Sequence, residues 1–206
     1  MTLHRAPIAR DHVSRDALEQ SQEVPVIDRR DALTSDGPIV LLGDELDCLT
    51  VIRCHPSVMV ASVVAGVAGR PRAAVISVDI SAVAKRSNLR AELRTQMQLC
   101  VDICAQVPSV RRLILVIGGA TPLPETTVYN MCTTAGDRIH SRIEQSCGLY
   151  AIVTLLLVSD CDDPTLLARR VYDRAMQPLG IDTAIVLNWE EIEHAPIGYT
   201  AANCYV

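Results

Sequence analysis

Aromatic side chains are scarce in this chain: phenylalanine is absent, and Phe, Trp and Tyr together make up 3 % of its 206 residues. Proteins that bind single-stranded nucleic acids stack the bases on aromatic side chains, and few are available here. The net charge is -5, whereas contact with phosphates needs a basic face. The composition therefore argues against a nucleic-acid-binding protein, and the core must be built from Val, Ile, Leu, Ala and Met.

Lysine is almost absent as well, since Lys85 is the only lysine among 19 basic residues. No Gly-Lys-Ser or Gly-Lys-Thr sequence exists, which excludes a P-loop. A Schiff-base enzyme would have to use Lys85, which lies in a polar stretch where it stays solvated. Because arginine codons are GC-rich, the excess of arginine, with many Ala and Val, points to a high-GC genome such as that of an actinobacterium or one of its phages.

Long apolar segments are missing too. The longest uncharged apolar run, Val58–Gly69, is far shorter than the roughly 20 residues that a membrane-spanning helix needs. The N-terminal stretch contains no apolar core of a secretory signal. These absences predict a cytoplasmic protein without membrane contact, in which the eight cysteines are mostly reduced thiols rather than disulfides.

What the chain does have is a series of apolar runs that alternate with amphipathic stretches. A strand covered by helices on both faces carries apolar side chains at every position, because neither face meets water. The clearest helical stretch is Lys85–Val107, where apolar residues recur at every third or fourth position until Pro108 ends the pattern. The apolar runs are Val58–Ala65, Ala73–Ile80, Leu113–Ile117, Ala151–Val158 and Ala184–Leu187.

This alternation predicts an α/β fold of the three-layer, Rossmann-like type, with helices flanking a mixed, mostly parallel sheet. The second half reads β-α-β-α-β-α-β, with further helices at Glu125–Cys147 and from Asp163 to about Gln177. Right-handed crossovers make strands joined in this way parallel neighbours. In the first half, Ser57–Gly66 and Ala73–Ile80 flank a turn-like segment and are predicted to pair as an antiparallel hairpin, which makes the sheet mixed.

The length suits a single domain, which we place at residues 37–206. Residues 1–36 are polar and weakly periodic, and we interpret them as an N-terminal arm or loosely attached segment. Residues 44–53 fit a helical face, while their second half also fits a strand, so both alternatives stay open. Ile181–Leu187 is predicted to form the last strand, and the tail His194–Val206 to be irregular.

One part of the chain resembles a known family. In the stretch HPSVMVASVVAG, followed by RPRAAVISVDIS, a His-Pro pair precedes a strand, a turn and a strand that ends in Val-Asp before a long helix. This order, carried here by His55, Pro56, Val78 and Asp79, resembles an actinobacterial family of α/β domains of unknown function. The resemblance covers about residues 44–118, and it implies no activity, because the family has none assigned.

Several acidic side chains follow the predicted strands, where open parallel sheets bind their ligands. Carboxylates that meet at this edge would hold Mg²⁺, which prefers oxygen ligands, or would serve as general acid and base. The alternative is structural, because Asp and Asn after strands cap helices and shape turns, as we expect of Asp163 before Pro164. The candidate catalytic residues are Asp79, Asp160, Asp162 and Glu190.

A glycine pair marks the only candidate cofactor loop. Gly118, Gly119 and Thr121 join a predicted strand to a helix, and backbone N–H groups at a helix start bind phosphate or carboxylate. The spacing is not G-x-G-x-x-G, and Pro122 and Pro124 remove two donors, so a plain ordered loop is the favoured alternative.

No motif predicts a metal centre. Cys48, Cys54 and His55 form C-x5-C-H, which matches no established zinc spacing. Cys100 and Cys104 lie one helical turn apart on an apolar stripe and are expected to pack in the core. Neither H-E-x-x-H nor G-x-S-x-G occurs, so the signatures of zinc proteases and serine hydrolases are absent.

The sequence thus leaves two hypotheses about function. The leading one is a non-enzymatic binding or regulatory module that acts through protein–protein association, as a homo-oligomer or with another protein, and needs no cofactor. The rival is a divalent-metal-assisted enzyme that uses Mg²⁺ and the four candidate carboxylates on a small phosphorylated or carboxylated substrate.

Overall fold

In the part of the chain that the structure describes, six parallel strands form one sheet. A computed structural model describes residues 38–180 and 184–203, and the predicted arm at residues 1–36 lies outside them. All neighbouring strands pair in parallel, in the order β2-β1-β3-β4-β5-β6. The α/β class is therefore confirmed. The strands are β1 (Ile39–Gly43), β2 (Val58–Val60), β3 (Ala73–Asp79), β4 (Arg112–Gly118), β5 (Ile152–Leu157) and β6 (Ala184–Asn188).

The predicted hairpin, and with it the mixed sheet, is wrong. Only Val58–Val60 of the valine-rich stretch forms a strand, and this strand pairs with β1 rather than with β3. β1 lies between the two supposed hairpin partners, because its apolar residues are buried and its backbone N–H and C=O groups need hydrogen-bond partners on both sides. The rest of the valine-rich stretch continues into a short 3-10 helix at Val64–Gly66.

The helices cover both faces of the sheet, which gives the predicted three layers. Successive residues of a strand point to opposite faces, so each strand contributes to two cores. One core joins the sheet to α2 and α3, and the other joins it to α1, α4, α5 and α6. The helices are α1 (Thr50–Arg53), α2 (Arg86–Gln106), α3 (Glu125–Cys147), α4 (Pro164–Met176), α5 (Trp189–His194) and α6 (Ile197–Asn203).

The long helices match the prediction closely, while the two ends of the domain differ. Of residues 44–53, whose structure the sequence left open, the part from Asp47 onward is helical, since a 3-10 helix at Asp47–Leu49 leads directly into α1. Up to Asn203, where the described part ends, the tail is not irregular, because α6 buries Ile197 and Ala201 in the second core. The last strand is described from Ala184 onward, because residues 181–183 of the predicted strand lie outside the described part. Among the described residues, no helix is both long and apolar enough to cross a bilayer.

Candidate binding clefts at the carboxyl edge of the sheet

The strand order fixes where this sheet offers room for a ligand. The chain leaves β1 toward β2 on one side, whereas it leaves β3 toward β4 on the other. Connections that diverge in this way open a crevice at the carboxyl ends of β1 and β3, which is the usual ligand site of such sheets. A second recess lies further along the same edge, beyond the ends of β4, β5 and β6.

The first recess, which we call the switch-point cleft, encloses about 340 Å³. Its lining includes Leu46, Asp79, Ser81, Gly118 and Gly119. Leu46 is only 8 % exposed, and a Cβ atom added to Gly118 would lie 3.2 Å from its Cδ1 atom. A leucine side chain therefore occupies part of the space where related sheets hold polar ligands.

Asp79 has a clear structural role in the switch-point cleft. Its Oδ1 accepts a hydrogen bond from the Ser81 backbone N–H at 2.8 Å, and its Oδ2 accepts one from the Ser81 hydroxyl at 2.9 Å. Its own backbone N–H donates to Asp44 Oδ2 at 2.8 Å. Both oxygens of Asp79 are thus used to shape the loop after β3, as the structural alternative expects.

The glycine loop is shaped by close packing as well. Gly119 has φ +93°, and a Cβ atom there would collide with Asp79 Oδ1 and lie 2.8 Å from the Ser81 nitrogen. Its carbonyl accepts a hydrogen bond from the Ser159 hydroxyl at 3.1 Å. Thr121 lines the other recess and donates its hydroxyl to the Val83 carbonyl at 2.6 Å. The three candidate cofactor-binding residues are therefore divided between the two recesses.

Two thiols line the switch-point cleft, and neither is activated. Desolvation by burial raises the pKa of Cys161 to about 11, with smaller contributions from Cys48 and from the carboxylates of Asp162 and Asp163. Burial likewise raises the pKa of Cys48. A nucleophilic cysteine needs a lowered pKa, so neither thiol is suited to covalent catalysis. The carboxylates of the loop after β5 raise the pKa of Cys161 further, but burial is the larger cause.

The second recess, which we call the acidic cleft, encloses about 390 Å³. Apolar side chains of Ile80, Leu123, Val128 and Leu157 contribute to its lining, together with Trp189. None of the described residues that line it is a lysine, an arginine or a histidine. Its carboxylates come from three different segments: Glu125 at the start of α3, Asp160 after β5, and the pair Glu190 and Glu193 on α5.

Trp189 is held firmly in the wall of the acidic cleft. Its indole Nε1–H donates to Asp162 Oδ1 at 3.0 Å, and the residue is 6 % exposed. The preceding residue, Asn188, caps α5 in a capping box with Glu191, each accepting a hydrogen bond from the backbone of the other. Local sequence explains the capping box, whereas nothing in the sequence links Asp162 to Trp189.

The four candidate catalytic carboxylates do not converge. Asp79 lines the switch-point cleft, Asp160 and Glu190 line the acidic cleft, and Asp162 holds Trp189. Within the described residues, no group of three His, Cys, Asp or Glu side chains is arranged to hold a metal ion. Asp163 caps α4 as predicted, accepting hydrogen bonds from the backbone of Thr165 and Leu166.

Two carboxylates of the acidic cleft, Glu125 and Glu193, are not among the predicted site residues. Glu125 is the first residue of the helix that follows β4. Its position after a strand is a signal of the same kind as that of Glu190 after β6, so the sequence could have indicated it. Glu193 lies one turn beyond Glu190, and only the docking of α5 brings it to the cleft.

Comparisons with protein-family models, curated proteins and solved structures find no match for this chain. The resemblance of residues 44–118 to an actinobacterial family thus stays a prediction.

Proposed function

We propose that this protein is a non-enzymatic binding module that associates with another protein, and that its acidic cleft receives a lysine or arginine side chain of that partner. One observation carries the proposal: four carboxylates surround a partly apolar recess at the carboxyl edge, and the described lining contains no basic side chain. A recess lined by charges of one sign focuses its field on a group of the opposite sign.

The lining of the cleft suits a long cationic side chain. Lysine and arginine bury their aliphatic stems against apolar surface while their charged heads stay near water or an anion. In the acidic cleft, Ile80, Val128 and Leu157 offer apolar surface, and Glu190 is exposed. A stem against the apolar side chains and a head among the carboxylates would satisfy both parts of the lining.

The rival metal-assisted enzyme has weaker support. It needs several carboxylates around one ion, whereas Asp79 accepts hydrogen bonds from Ser81 in the switch-point cleft and Asp162 accepts one from Trp189. Cys48 and Cys161 are poor candidates for covalent catalysis as well, because burial raises the pKa of both thiols.

The test is a titration of the full chain with a fluorescent peptide that carries several arginines, followed by anisotropy. The double variant E190Q/E193Q keeps the shape of both side chains and removes two charges, so we expect its affinity to fall at least about tenfold. The matched control is E144Q, which neutralises an exposed carboxylate on α3 outside the cleft and should leave the affinity unchanged.

Two further measurements distinguish a protein partner from a small cation and from a metal-assisted enzyme. Free arginine that binds as tightly as the peptide would contradict a protein partner and point to a small cation. A rise in melting temperature with Mg²⁺ that Asp160→Asn abolishes would favour the metal-assisted enzyme instead.

A further inference from the structure

A groove between α2 and α3 forms a third recess, and none of its described lining residues also lines the acidic cleft. Its volume is about 510 Å³, larger than either cleft at the carboxyl edge. Its apolar lining consists of Leu93 and Met97 from α2 and of Met131 and Ala135 from α3. Methionine side chains adapt their shape to a partner, and such surfaces are common where proteins bind helices.

Arginines line this groove along its length. Arg90 and Arg94 lie one turn apart on α2, and Arg138 on α3 lines the same recess. A shallower recess continues it along α3 past Arg138 to Arg142 and shares Met97 with it. All four arginines are exposed, and none forms an ion pair with a residue in the described part of the chain.

The charge of this surface, which we call the arginine groove, opposes that of the whole protein. The chain has a net charge of -5, yet the only acidic residue among the described ones that line the groove is Asp137. Glu92, on the neighbouring turn of α2, accepts a hydrogen bond from Gln96 Nε2 at 2.7 Å. The apolar strip is half-buried at Met97 and Met131 and buried at Leu93 and Ala135. Like charges one turn apart on a helix repel each other, and an anionic ligand would relieve this repulsion.

From this geometry we infer that the arginine groove docks an acidic amphipathic helix of a partner protein. Such a helix would place apolar residues, spaced three and four apart, on Met97 and Met131 while its carboxylates reach the four arginines. From Asn130 to Arg142 the groove follows α3 for roughly 18 Å, enough for about three turns of a docked helix.

Other occupants fit the groove less well. A nucleic acid would pair its phosphates with the arginines, but no described residue of the groove offers an aromatic ring on which bases could stack. A second copy of this chain would have to bring an acidic surface, and its acidic cleft is concave like the groove itself. The combination of an apolar strip with flanking arginines favours a helix with one apolar and one acidic face.

The test uses the full chain and a labelled synthetic helix with leucines at i, i+3, i+4 and i+7 and glutamates elsewhere. We expect it to bind at least about tenfold more tightly than a scrambled peptide of the same composition, which lacks an apolar face. The charge-reversal variant R94E/R138E should lose at least about tenfold in affinity. Arg169→Glu reverses the charge of another exposed arginine, which pairs with Asp173 on α4 across the sheet; it is the control and should change the affinity little.

Three results would overturn the inference: equal binding of the scrambled peptide, an undiminished affinity in a folded R94E/R138E variant, or tighter binding of a DNA oligonucleotide than of the helix. A self-association that R94E/R138E abolishes would assign the groove to a second copy and contradict a foreign helix. The variant E190Q/E193Q should bind the acidic helix normally, so failure here is distinguishable from failure of the proposed acidic cleft.

Discussion

At the scale of single residues, Gly119 determines the shape of the carboxyl edge. Its φ of +93° lies in the region that L side chains rarely adopt, and a Cβ atom would collide with the carboxylate that orders the loop after β3. We expect Gly119→Ala to reduce the free energy of unfolding by about 2 kcal/mol or more, because backbone strain and the collision add together. Urea unfolding followed by circular dichroism measures the loss.

Gly69→Ala is the matched control for that prediction. Gly69 also has a positive φ, +77°, but nothing lies within 4 Å of the position of its Cβ atom. Only the strain of the left-handed conformation applies there, about 1 kcal/mol. Equal losses in the two variants would mean that the contact between Gly119 and Asp79 does not matter for stability.

At the scale of elements, α2 and α3 bury thiols that couple folding to pH. Burial raises the pKa of Cys104 and of Cys132 to about 12, and it raises the pKa of Cys100 as well, from an ordinary value of 9.0. Above pH 9 the unfolded chain releases these protons while the folded chain keeps them. The stability that the neutral thiols contribute is thus complete below pH 9 and falls as the pH rises toward 12.

Unfolding free energies measured at several pH values between 8 and 11 check this slope. Each such thiol contributes up to about 1.4 kcal/mol per pH unit. In Cys132→Ala the cavity lowers the free energy of unfolding by an amount that does not depend on pH, and the loss of the thiol makes the alkaline slope shallower. An unchanged slope would show that Cys132 ionises equally easily in the folded and unfolded chain.

Element by element, the sequence predicts helices better than strand partners. The predicted helices Lys85–Val107 and Glu125–Cys147 agree with α2 and α3 to within one residue at each end. A helix pairs its own backbone hydrogen-bonding groups and shows its apolar face as a local sequence pattern, so it can be predicted from a single segment. Strand pairing depends on distant segments. The hairpin prediction paired two strand-like runs that are near in sequence, whereas β1 takes the place between them.

The candidate sites follow the same rule. The sequence predicts that ligand-facing side chains gather at the carboxyl edge of the sheet, because parallel strands end together there. Which of them share a cleft could be predicted only in part. The contact between Asp79 and Ser81 is local and follows from the structural alternative, whereas the contact between Asp162 and Trp189 joins residues that are distant in the chain and could not be predicted. The arginine groove could not be predicted either. Its two walls are separate helices, and only their packing brings Arg94 and Arg138 to the same recess.

At the scale of the whole molecule, the two proposed surfaces have opposite charge within a protein of net charge -5. The long-range field of the chain therefore attracts a basic partner toward the acidic cleft and opposes the approach of an acidic helix to the arginine groove. Local contacts with Met97 and Met131 must supply more of the affinity in the second case, and salt does not screen those contacts.

This asymmetry predicts a difference in salt dependence. Raising the NaCl concentration from about 0.05 M to about 0.5 M shortens the screening length several-fold, so the association rate of the arginine peptide should fall steeply. The rate for the acidic helix should fall less, because screening removes the repulsion of the whole chain together with the attraction of the groove. Stopped-flow fluorescence measures both rates, and R169E, which alters net charge outside both surfaces, shows how much of each effect belongs to the whole molecule. A steeper fall for the acidic helix would mean that the nearby arginines, rather than the net charge, control its approach.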